Sequence, residues 1–183
     1  MPFKADMHEN IYKIVLSGLL VFIFSSVSFA YELKSGYVTI SYTGDDQIRR
    51  FNKEISLGSL SYLLKSKTSV TAEDEVKNKM DVLIERVETI LEMYPKELKF
   101  NIALLSSDNE VQDVFRKRYG RTVDYIAFYS PRDKTLYVSV KDIELGVLAH
   151  EIAHVIIDFY YGMSTPTKIH EVLAQYVENH LKD

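Results

Sequence analysis

Along this chain the spacing of apolar residues changes several times, and each change marks an element. Tyr37 to Thr43 alternate as a strand rich in β-branched and aromatic residues, closed by Gly44 and two aspartates. Asp45 or Asp46 is then placed to cap a short helix carrying Ile48, Phe51 and Ile55 on one side, whereas no clear period governs Gly58 to Ser69. From Thr71 to Tyr94 the residues Val76, Met80, Leu83, Val87, Ile90, Leu91 and Tyr94 recur at three- and four-residue steps. That spacing predicts a long amphipathic helix with Thr71 as its cap, Glu73, Asp74 and Glu75 at its positive end, and Pro95 as its stop.

Phe100 to Leu105 reads as a buried strand, Asn109 to Tyr119 as a helix closed by Gly120, and Tyr125 to Tyr129 as a further strand. The turn Ser-Pro-Arg-Asp-Lys joins it in a hairpin to Thr135 to Val140, where Leu136, Val138 and Val140 alternate with Thr135, Tyr137 and Ser139. A strongly apolar helical pattern follows from about Asp142 to Tyr161, stopped by Gly162. After Pro166, with Thr167 as a candidate cap, a last helix begins. The expected class is α+β: a small mixed or antiparallel sheet packed on helices, strands early and helices at the end.

Charge narrows the partners. Twenty-two basic against 26 acidic residues leave a net charge of -4, which gives no broad attraction to nucleic acid or anionic lipid. A chain of 183 residues with 46% hydrophobic residues suffices for one core and is short for two domains. The absence of cysteine rules out disulfides, a thiolate metal site and a lipid anchor on a processed cysteine.

The first 30 residues have the order of a secretory signal: a polar start with Lys4 and Lys13, an apolar run from Ile14 to Phe24, then small residues Ser28 and Ala30 at the cleavage positions. Ser17 within the run and Ser25, Ser26 and Ser28 after it break up the stretch, which falls short of a clean membrane span of about 20 residues. The expectation is therefore residues 1–30 as a cleaved signal and 31–183 as one exported domain, periplasmic or extracellular, or membrane-anchored if cleavage fails.

All four histidines beyond the signal lie in the last 34 residues, and two of them form His150-Glu151-Ile152-Ala153-His154 inside the apolar helical pattern. Residues four apart on a helix project from one face, so both imidazoles can grip a single ion. Glu151, beside His150 but out of register with it, is set to polarise a bound water rather than to ligate. A catalytic zinc site usually takes a third protein ligand and keeps a fourth position open. On the final helix both His170 and Glu171 are within reach of that role, and spacing alone leaves the choice open.

His-Glu-x-x-His followed by Glu171-Val172-Leu173-Ala174 on the next helix resembles the gluzincin metallopeptidases, the clan of thermolysin and many aminopeptidases, and especially their minimal single-domain forms. The resemblance implies His150, His154 and Glu171 as ligands of Zn2+, Glu151 as general base, and Ala174 as the small residue that lets the helices approach. Sixteen residues separate His154 from Glu171, slightly fewer than in thermolysin, which leaves less room for substrate-binding insertions. By the same resemblance Thr135 to Val140 is the substrate-binding edge strand, and a Tyr or His stabilises the oxyanion, with Tyr160, Tyr161 and Tyr176 as candidates. The implied function is hydrolysis of peptide bonds in a peptide or protein substrate. The alternative is a non-catalytic zinc module of the same fold that binds or inhibits a partner.

Overall fold

The structure, a computed structural model, describes residues 31–64, 67–162 and 165–182. The expected signal segment lies outside these residues. Among the described residues no helix is long and apolar enough to cross a membrane.

A five-stranded mixed sheet forms the frame, with strands β1 (Tyr31–Lys34), β2 (Val38–Tyr42), β3 (Phe100–Leu105), β4 (Ala127–Ser130) and β5 (Thr135–Ser139) in the spatial order β1-β2-β3-β5-β4. β1 and β4 run antiparallel to their neighbours, while β2, β3 and β5 are parallel to one another. Parallel neighbours need long crossovers, and helices supply them. α1 (Asp45–Glu54), a 3-10 turn (Gly58–Leu64) and α2 (Ala72–Leu91) link β2 to β3; α3 (Asp108–Tyr119) precedes the β4–β5 hairpin. α4 (Leu145–Tyr161) and α5 (Thr167–His180) complete the chain. The fold is α+β, but helices interleave with strands instead of following them.

Both faces of the sheet are covered. On one, Ile40, Ile102, Leu136 and Val138 pack with Phe51 of α1, Met80 and Ile84 of α2, and Ile152 and Ile156 of α4. On the other, Ala103, Leu105, Phe128 and Tyr137 pack with Val111 and Phe115 of α3. Every residue of β5 is consequently buried, including the polar half of its alternating pattern. Ser139 uses its hydroxyl to donate to Asp142 at 3.0 Å, and Tyr137 donates to Asp133 at 2.7 Å.

Several boundaries differ from the expectation for local physical reasons. The cap of α1 is Gly44, and Asp45 and Asp46 lie in its first turn. Thr71 does cap α2, in a reciprocal box with Asp74, but Glu92 turns left-handed at φ 54° and ends the helix, so Tyr94 is 61% exposed instead of extending the apolar stripe. Asp142 is held in a turn by Ser139, and α4 begins at Leu145. Thr167 is the first residue of α5, while Pro166 occupies the cap position without a side-chain bond.

The strand expected at the edge, Thr135 to Val140, is internal. β4 pairs along its free side and takes the edge position instead.

Candidate metal centre

α4 and α5 position the site. α4 is apolar almost all round because Leu148, Ala149, Ile152, Ala153, Val155 and Ile156 all disappear into the core. His150, Glu151 and His154 are left on the sector that opens to a cavity of about 400 Å³. The chain then reverses at Gly162, whose positive φ of 79° suits glycine and whose N–H closes the last turn on Asp158 at 2.8 Å. α5 returns across α4 through Ala174 and Val177, both fully buried. The close approach that Ala174 was expected to permit is therefore present.

This packing turns Glu171 toward the histidine pair. One carboxylate oxygen lies 3.7 Å from His150 Nε2 and the other 3.7 Å from His154 Nε2, and the three ligand atoms fall within 4.8 Å of one another. Donors on a tetrahedral zinc with bonds of about 2.0–2.1 Å sit about 3.3 Å apart, so small side-chain adjustments bring this trio to coordination distance. His170 stays out of the trio. It lines the same cavity with its ring stacked on His154, centroids 5.7 Å apart, and is not mere helix surface.

The electrostatics favour a cation between these groups. Burial, followed by the neighbouring His150 and His170, pulls the His154 imidazole down to about 3, so it is neutral at physiological pH. A neutral ring presents a lone pair or a single proton to a carboxylate that already faces a second imidazole. A metal ion satisfies all three atoms at once, whereas protons satisfy them only in part. The donor set of two imidazoles and one carboxylate, with no sulfur, suits zinc.

Glu151 stands one step round the helix. Burial pushes its carboxyl up to about 8, against the lowering effect of the Tyr129 N–H, with Glu171 adding repulsion. The Tyr129 backbone N–H donates to Glu151 Oε2 at 2.9 Å, and the Tyr129 hydroxyl donates to Asp158 Oδ2 at 2.9 Å. Two carboxylates two turns apart on α4 thus hold both donors of one edge-strand residue. Burial and then Asp158 push the Tyr129 hydroxyl far above the usual phenol range, so it remains a donor. Because Tyr129 points its N–H away from β5, its carbonyl lies on the same open edge.

Tyr129, Asp158 and the aromatic wall of the cavity were not singled out by sequence reasoning. Phe115, Tyr125, Phe128 and Pro131 line the cavity together with the histidines. Phe115 meets Tyr125 and Phe128 edge to face, with centroids 5.2 and 5.1 Å apart. The one available signal was Asp158, a carboxylate in the apolar stretch that ends α4, four residues beyond His154. Tyr160, Tyr161 and Tyr176 do not line the cavity and are each about half exposed. No family model matches the chain, and neither a curated protein nor a solved structure matches it.

Proposed function

We propose that the protein is a zinc-dependent peptidase of the gluzincin type, acting on a peptide or protein substrate outside the cytoplasm. One observation carries this reading: His150, His154 and Glu171 converge from two helices while Glu151, out of the ligand set, faces the same cavity. His150, His154 and Glu171 would hold the ion. Bound zinc supplies Lewis acidity, which makes a water easier to deprotonate and a carbonyl easier to attack.

The remaining work falls to this chain's own side chains. Glu151 Oε2, aligned by the Tyr129 N–H, accepts the water's proton and delivers it to the departing amine. The open edge of β4 offers backbone donors and acceptors to an extended peptide. The aromatic residues of the cavity offer apolar surface to a side chain beside the scissile bond. His170 and Tyr125 face the cavity as the available donors toward a developing oxyanion.

The test is Glu151→Gln in the zinc-loaded protein, assayed on a peptide library alongside wild type. The expected result is cleavage by wild type, at least about 10³-fold less by the variant, and equal zinc content in both. Zinc binding without hydrolysis by wild type would leave the non-catalytic module as the better reading. A protein that takes up no zinc contradicts both.

A further inference from the structure

α4 and α5 run antiparallel, and their facing positions form a ladder. His154 faces Glu171, His150 lies between Glu171 and Glu178, and Gly146 faces Glu178. The period is one turn on each helix: residues 146, 150 and 154 descend as 171, 174 and 178 ascend. We propose that Glu178 is a positioning residue for the metal centre, fixing the ring of His150 through Nδ1 so that Nε2 is presented to the ion. This rests on the zinc reading above.

Three observations support it. His150 Nδ1 is buried without a hydrogen-bond partner of good geometry, and Glu178 Oε2 is 3.3 Å away. A buried ring nitrogen needs a partner, and a small rotation of the Glu178 side chain makes the bond. Next, Glu178 packs on Gly146. A Cβ there would meet Glu178 Cγ at 3.5 Å and its Oε1 at 3.8 Å, so the Glu178 side chain lies against α4 one turn before His150. Finally, Gln175 Nε2 donates to Glu178 Oε2 at 3.2 Å, and the end of α5 itself is pinned by Arg86 of α2, which donates to the His180 and Leu181 carbonyls at 3.3 and 3.4 Å.

The consequence is a fixed tautomer. With its Nδ1 proton directed to Glu178, His150 must expose the Nε2 lone pair. Glu178 does not touch the ion, because Nδ1 lies on the side of the ring away from Glu171.

The experiment measures zinc affinity by chelator competition for wild type, Glu178→Gln and Glu178→Ala. It is paired with thermal unfolding of the metal-free proteins and the absorption spectrum of the cobalt(II) forms. The expected result is zinc binding weakened about 10- to 100-fold in Glu178→Ala and less in Glu178→Gln, whose amide oxygen still accepts, with an altered cobalt spectrum and unchanged metal-free stability. Wild-type affinity in Glu178→Ala would overturn the proposal while leaving the zinc reading intact. Failure of wild type to bind zinc would remove both. If Glu178→Ala does not fold, the near-isosteric Glu178→Gln decides, and wild-type affinity and spectrum there overturn the proposal.

Discussion

Glu151, the general base of the proposed reaction, is a burden to the metal-free fold. Its carboxyl is raised from 4.5 to about 8, first by burial. The folded metal-free protein therefore keeps a proton there that the unfolded chain releases. The associated stability is full below about pH 4.5 and is lost as pH rises through about 8. Glutamine is neutral throughout and can still accept the Tyr129 N–H. Metal-free Glu151→Gln should thus gain on wild type as pH rises, by on the order of a few kcal/mol above about pH 8. Chemical unfolding in the presence of chelator at about pH 5 and about pH 8.5 checks this, and a difference that fails to widen with pH contradicts it. At this scale the histidine pair and Glu151 were legible in the sequence because one helical turn fixes their relation. Tyr129, Asp158 and Glu178 were not, because each acquires its role only when a second element packs beside it.

Elements were legible where their signals are local. The Thr71 cap, the Gly120 and Gly162 stops and the apolar period of α2 all act within a few residues, and the structure contains each of them. The edge strand was not, because β5 alternates like a half-exposed strand although both of its faces are covered. The hairpin partner β4 holds the edge, and with it the N–H that meets Glu151. The α4–α5 packing is the element-level feature on which the site depends most. Ala174→Leu inserts three carbons where the side chain has no exposed surface. It should destabilise the fold by about 1–3 kcal/mol and weaken zinc binding at least about tenfold, because α5 must move outward with Glu171. Paired unfolding and zinc titrations measure both, and unchanged zinc affinity would detach the site from the helix spacing.

For the whole molecule, the sheet order and the two parallel crossovers were beyond reach of local pattern, since β2 meets β3 across 57 intervening residues and β3 meets β5 across 29. Class was legible from the mixture of periods; topology was not. That topology packs α4 on one face of the sheet beside β4, with α5 against α4, so the site is built from α4, α5 and β4 together. These elements bring His150, His154 and Glu171 within reach of one another, and the proposed function requires that the three hold one cation. The most direct measurement is zinc stoichiometry and affinity of the purified protein by calorimetric titration, for wild type and for His150→Ala, His154→Ala and Glu171→Ala. One zinc per chain in wild type, with affinity falling at least about 100-fold in each variant, is the predicted result. Wild-type affinity in Glu171→Ala, or no stoichiometric zinc in wild type, would contradict it.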